Sequence, residues 1–272
     1  MTREQVNRMI NEGILPDAYR EFVETHVSWV ILCDRFAYKI KKPVQYSFLD
    51  FSTIEKRKYF CEREIQLNKR LTEGIYLDVQ PICETAGRFV MGSDLGALIE
   101  YAVRMFRQDQ DKQMDRLLMR NKVTVTDIRN IAEKIASFHA ITKIIYEKRI
   151  TEVGEKFNDL AVETDFLAES SVDGGDIIKR AMETSARFME QNSKLIAERL
   201  SNGYFRDCHG DLHSRNIFLL SSPQPFDCIE FNDDYRQIDV LNEIAFLCMD
   251  LDAFNRKDLS ESFVEYYKEF FY

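Results

Sequence analysis

The segment His209-Gly210-Asp211-Leu212-His213-Ser214-Arg215-Asn216 sets a carboxylate five residues before a side-chain amide. Phosphoryl transfer asks for these groups: a carboxylate to orient the accepting hydroxyl, an amide oxygen and a second carboxylate to hold magnesium, and a lysine to hold nucleotide phosphates. Glu230, in Asp227-Cys228-Ile229-Glu230-Phe231, is the expected second carboxylate, because an acid between apolar neighbours on a strand is costly unless it meets a cation. Lys39, in Phe36-Ala37-Tyr38-Lys39, is the expected phosphate lysine. Glu64, on the helix that follows, is the acid expected to fix its reach, with Glu62 the weaker partner. Glu100 and Ala102 lie in the strand-like run Leu98 to Val103, beneath which the nucleotide cleft is expected.

Asp211 and Asn216 have the separation found in the kinase loop H-R-D-L-x-x-x-N, and Phe36-Ala37-Tyr38-Lys39 resembles the strand context V-A-I-K. The whole segment His209 to Asn216 resembles the signature of aminoglycoside phosphotransferase-like kinases, a branch of the protein-kinase-like fold. Its flanks agree: Arg206 and Asp207 precede it, and Ile229-Glu230-Phe231-Asn232-Asp233 with Ile238-Asp239-Val240 resembles that family's metal-binding strand and helix entry. More narrowly, Ala37 to Pro43, Phe48 to Thr53 and Ile229-Glu230-Phe231 resemble the phosphotransferase-like domain often fused to a C-terminal P-loop ATPase. The resemblance runs from about Thr25 to Met249.

It implies an α+β, bilobal, protein-kinase-like fold, with a β-rich nucleotide-binding lobe at 1–103 and a mainly helical catalytic and substrate lobe at 104–272. It also implies ATP and magnesium as cofactors and a small hydroxylated molecule as acceptor. Asp211 is the implied catalytic base, Asn216 and Glu230 hold the metal, and Lys39, Glu64, Glu100 and Ala102 surround the nucleotide. Two departures stand out. The family's usual metal-binding aspartate is here Glu230, and the hairpin over the phosphates, Thr25-His26-Val27-Ser28 and Cys33-Asp34-Arg35, has no glycine to form a backbone cradle. No GxxxxGK[ST] follows, and the apolar end Phe270-Phe271-Tyr272 reads as that of a truncated or minimal version.

The elements that must position these groups read as follows. Glu4 to Ile14 is an amphipathic helix, leading into a second helical stretch through Phe22. Val27 to Val44 is a hairpin, Thr53 caps a helix to about Leu71, and Val79 to Glu84 and Phe89 to Met91 are strands about a Thr85-Ala86-Gly87 turn. Helices follow at Met114 to Leu118 and after Thr126, where Ile128, Ile131, Ala132, Ile135, Phe138 and His139 share a face. The polar stretch Glu147 to Asp165 reads as a partly ordered connection and a candidate mobile substrate loop. Asp176 to Leu200, stopped by Gly203, reads as a long helix through the second lobe. A hairpin of Ile217 to Leu220 and Phe226 to Phe231 precedes helices at Val240 to Leu251 and Ser260 to Tyr272. Asp239 and Glu243, spaced i, i+4, read as braces of the catalytic loop, Lys41 and Lys42 as a solvated strand end rather than phosphate ligands, and Asp250 and Asp252 as solvated surface rather than the lining of an acceptor pocket.

Composition sets the outer limits. With 272 residues, 45% hydrophobic and 31% charged, the chain can bury a core large enough for two lobes. Its 37 Lys and Arg against 46 Asp and Glu give a net charge of −9, which disfavours nucleic acid as a partner. No apolar run is long enough for a membrane span or a secretory signal. Six cysteines without a CxxC pair read as buried free thiols, so the expected compartment is the cytoplasm. A nucleotide-binding module without turnover is the alternative function, and a metal hydrolase using the H-x-D-x-H run is a third.

Overall fold

The computed structural model describes residues 1–158, 161 and 175–271. Helix α1 (Arg3–Glu12) begins at a reciprocal cap in which the Thr2 hydroxyl accepts from the Gln5 amide and the Gln5 side chain accepts from the Thr2 amide. It lays Val6 and Met9 on the inner face of a six-stranded antiparallel sheet. That sheet comprises β1 (Tyr19–Glu24), β2 (Ser28–Cys33), β3 (Phe36–Lys41), β6 (Tyr76–Thr85), β7 (Arg88–Met91) and β8 (Ala97–Phe106), in the order β1-β2-β3-β8-β6-β7. A small hairpin of β4 (Gln45–Tyr46) and β5 (Leu49–Asp50) leads from β3 into helix α2 (Ile54–Asn68), which Thr53 caps as expected.

The second helical stretch expected through Phe22 is instead the edge strand β1, paired with β2 from Tyr19↔Cys33 to Glu24↔Trp29. Five of its six side chains are exposed, so Tyr-Arg-Glu-Phe-Val-Glu carries none of the alternation that betrays a half-buried strand. Strand β8 also runs further than its apolar text suggested. Its ladder with β3 continues to Phe36↔Phe106, three residues past Val103.

The rest is mainly helical: α3 (Met114–Met119), α4 (Val125–Ile141), α5 (Glu152–Asn158), α6 (Gly175–Ser201), α7 (Val240–Ala253) and α8 (Lys257–Phe271). The i, i+3, i+4, i+7 face read from Ile128 to His139 is the buried face of α4, although the capping residue is Thr124 rather than Thr126. It packs with Ile244, Leu247 and Leu251 of α7 and Leu259, Phe263 and Tyr267 of α8 in one core. Helix α6 matches the expected range to within a residue but has no fully buried residue, so it lies on the lobe rather than through it. Of the expected mobile loop, Glu147 to Asp165, residues 147–158 and 161 are described and include α5; the remainder lies outside the described residues.

Between α6 and α7 run the short strands β9 (Phe205–Asp207), β10 (Ile217–Leu219), β11 (Pro223–Pro225) and β12 (Gln237–Asp239). The β10–β11 hairpin stops at Pro225, and Asp227 has φ 62°, so the run expected as a strand from Phe226 to Phe231 leaves the ladder. A sheet lobe, a helical lobe and a cleft between them make the α+β, bilobal architecture that the sequence led us to expect. The six thiols are unpaired, and five are buried. Among the described residues no helix is long and apolar enough to cross a membrane.

Candidate active site

Strand β3 forms the roof of the cleft. Alternate side chains on a strand share a face, so Ala37, Lys39 and Lys41 all look into one cavity of about 790 Å³, together with their β2 partners Leu32, Val30 and Ser28. At about 3.3 Å per residue these stations are roughly 6.6 Å apart, which divides the cavity into three zones. The zone at Ala37 is apolar, walled by Met105, Phe106 and Ile75 and floored by Phe218 and Phe226, which stack at 4.7 Å. The zone at Lys39 is charged. The zone beyond Lys41 is aromatic, with Phe48, Phe231 and Tyr235.

In the middle zone the fully buried Glu64 meets two lysines. Its Oε1 lies 3.0 Å from Lys39 Nζ and its Oε2 lies 2.6 Å from Lys41 Nζ. Lys39 also pairs with Asp227, and Lys41 with Glu230. Burial pulls the Lys39 ammonium down, but Asp227 and Glu64 more than offset this and hold it well above its usual range. Burial pushes the Asp227 carboxyl up, and Lys39 brings it below the usual value. Glu230 goes the other way: burial, with Glu64 adding to it, keeps its carboxyl above the usual range despite Lys41.

Two expectations change here. Lys41, read from sequence as a solvated strand end, is 1% exposed. Glu230, read as the second metal ligand, is committed to Lys41, while Asp227 lies over the cleft near enough to Asp211 to feel its charge. The sequence showed two acids three residues apart in Phe-Asp-Cys-Ile-Glu-Phe. Extending the strand to Phe231 put Glu230 forward; the early end of β11 and the left-handed backbone at Asp227 turn the Asp227 carboxylate toward Lys39.

Glu100 and Ala102 are also displaced from their expected place. Both are fully buried and neither lines the cavity. Glu100 binds the Met1 ammonium at 2.8 Å and the Arg57 guanidinium at 2.8 Å, inside the sheet lobe. Because β8 continues to Phe106, the strand end that borders the cleft is Met105 to Gln108.

The catalytic-loop candidate is held from below. Glu243 Oε1 accepts the amides of His209 and Gly210, each at 2.7 Å, and its Oε2 lies 2.6 Å from His139 Nε2, whose ring partner Nδ1 is 2.8 Å from the Tyr267 hydroxyl. This matches the bracing role read for Glu243. Asp239 caps α7 by accepting from the Leu241 amide and pairs with Arg199. Gly210 has φ 89°, and a Cβ there would stand 3.0 Å from the Tyr235 carbonyl oxygen, so both conformation and space require glycine. His209 Nδ1 accepts from the Asp211 amide, which leaves Nε2–H to donate to the Phe226 carbonyl. Burial lowers the His209 pKa, in keeping with that neutral tautomer.

Asp211 itself is ordered from both sides. Asn216 Nδ2 donates to its carbonyl and to Oδ2, each at 3.0 Å, and His213 Nε2 lies 3.5 Å from Oδ2. Burial raises the Asp211 carboxyl, yet His213 and Asn216 bring it below its ordinary value; His213, lowered by burial, is raised overall by Asp211. Asp250, weighed as a pocket residue, accepts the Ser214 amide at 2.7 Å. His209 and His213 have separate duties in the H-x-D-x-H run: His209 meets the Phe226 carbonyl and the Asp211 amide, and His213 faces the Asp211 carboxylate.

Helix α2 ties the parts together. Besides Glu64, it contributes Arg63 to Asp233 and Asn68 Oδ1 to the Cys228 amide at 2.9 Å, and just past its end Arg70 pairs with Asp207 at 2.8 Å.

The chain matches no protein-family profile. It is 32% identical over 250 residues to the uncharacterized proteins Mb2027c of Mycobacterium bovis and Rv2004c of Mycobacterium tuberculosis, alignments covering 90% of this chain and 48% of each relative. The chain thus spans about half the length of the curated relatives it matches. Among solved structures, ADP-bound aminoglycoside phosphotransferase APH(2'')-Ib is similar over 98% of this chain and 82% of that chain, with a TM-score of 0.49 and 14% identity.

Proposed function

We propose that the protein is an ATP- and magnesium-dependent phosphotransferase acting on a hydroxyl of a small molecule. The observation that carries this reading is the convergence, in one cleft, of Asp211 bonded to Asn216 with Lys39 bonded to Glu64 and Asp227. In this reading residues 1–103 are the nucleotide lobe, residues 104–272 the catalytic lobe, and the end of β8 makes the crossing. The apolar zone at Ala37 and Met105 takes the base, and Lys39 takes phosphate oxygens while Glu64 holds its side chain in place. Asp211 orients the accepting hydroxyl and receives its proton.

The donor set suits magnesium. Asp227 offers a carboxylate, and because the Asn216 amide nitrogen is spent on Asp211, its oxygen is the atom left to offer; both are hard ligands. Bound there, the ion would neutralise charge on the transferring phosphoryl group. The glycine-free turn at Thr25 to Val27 favours a second reading, a nucleotide-binding module without turnover, since it offers phosphates no glycine cradle.

Calorimetry of ATP binding with and without magnesium, on wild type and Asn216→Ala, decides between these readings when followed by ATP consumption with hydroxylated acceptors. The expected result is magnesium-strengthened binding that Asn216→Ala loses, with turnover. Binding without turnover supports the second reading, and no binding sinks both. A further expectation concerns pH. Because His213 helps hold the Asp211 carboxyl down, His213→Gln moves the acidic limb of the rate profile upward. A limb that stays in place removes His213 from that role.

A further inference from the structure

The far zone of the cleft has a chemical character that the phosphoryl-transfer reading does not require. Phe48 comes from the β4–β5 hairpin of the sheet lobe, whereas Phe231 and Tyr235 follow Glu230 in the helical lobe. Their ring centroids are 6.0, 6.2 and 6.4 Å apart, so they pack as one wall, with Tyr46 stacked outside Phe48 at 5.7 Å. Phe48 remains 40% exposed. Leaving aromatic area in water costs about 25 cal/mol per Å², so the exposed part of Phe48 is suited to a flat apolar face. The wall adjoins the reacting centre, since the Tyr235 carbonyl packs on Gly210, the residue before Asp211.

Charge narrows the occupant. Among the described residues, the carboxylates beside this wall already have cations: Glu230 has Lys41, Asp233 has Arg63 and Arg236, Asp234 has Lys148, and Asp50 has Lys56. A polycation bound here would have to compete with these partners. The roof at this end adds the uncharged hydroxyls of Thr25 and Ser28.

We propose that the Phe48–Phe231–Tyr235 wall is the acceptor subsite, and that the acceptor is an uncharged, hydroxylated molecule with a flat apolar face rather than a polycation. This rests on the phosphotransferase reading above and assigns its substrate class. One face of the acceptor lies on the rings, and its hydroxyl reaches Asp211.

The test is calorimetry with two probes, phenyl β-d-glucopyranoside as the neutral ring alcohol and kanamycin as the polycation, each titrated with and without ADP and magnesium. Expected is glucoside binding that falls tenfold or more in Phe48→Ala, is kept in Phe48→Tyr, and exceeds kanamycin binding. Unchanged ADP affinity in Phe48→Ala shows that the variant is folded. Absent glucoside binding, binding indifferent to Phe48→Ala, or tighter kanamycin binding each overturns the proposal. ADP affinity of the wild type reports on the nucleotide reading separately: its absence fails that reading, while the titrations without ADP still decide the class of ligand.

Discussion

Replacing Asp227 by asparagine is expected to lower magnesium-dependent ATP turnover roughly 10²- to 10³-fold, the scale seen when one preorganised electrostatic partner of a transition state is removed. The same substitution is expected to raise the magnesium concentration needed for half-maximal rate. Glu230→Gln is the informative contrast. Its carboxylate is turned to Lys41, so the change acts on folding stability and moves turnover per folded molecule by less than about tenfold. The pair of variants, each checked for fold by circular dichroism, tells the two acids apart. Equal losses of rate, or a larger loss in Glu230→Gln, would return the metal site to the residue that the sequence first suggested.

Lys41→Met is expected to be the most destabilising single change in the cleft. It leaves Glu64 with Lys39 alone and Glu230 without its cation, and breaking a buried pair from one side costs about 3–5 kcal/mol. The sign of its pH dependence follows from Glu230. A carboxyl with a folded-state pKa above its unfolded value lets the folded state bind the extra proton, so the penalty is full above the folded pKa. It shrinks as pH falls from there toward the ordinary carboxylate value of about 4.3. Urea unfolding from pH 8 to pH 5 should therefore show the deficit against wild type narrowing, and Lys41→Met with Glu230→Gln should recover part of it at neutral pH. A deficit that is constant with pH would mean that Lys41 acts through packing against Phe51, 5.0 Å away, rather than through charge.

What the sequence made legible was local. Asp211, Asn216 and the strand-helix pair Lys39 and Glu64 lie in short runs whose spacing survives folding, and the α4 face followed from helical periodicity. What it concealed depended on where ladders stop. Glu100 and Ala102 were placed at the cleft because the apolar text thins at Val103, whereas pairing with β3 carries β8 to Phe106. Asp227 was passed over because only the backbone turn after Pro225 separates its direction from that of Glu230. Lys41 looked solvated because its two buried acids come from 23 and 189 residues further along the chain. β1 was hidden because an edge strand open to solvent needs no alternation.

The anchoring of α2 has a mechanical consequence. Along fifteen residues the helix grips β8 through Arg57, β3 through Glu64, and the helical lobe through Arg63, Asn68 and Arg70 just past its end. A rotation that widened the gap between the lobes would have to shear the bonds to Asp233, the Cys228 amide and Asp207 together. The helix therefore works as a strut that fixes the width of the gap. The parts left to yield as ligands enter and leave are the small overhanging hairpins, Thr25 to Val27 and Tyr46 to Phe48, at the rim.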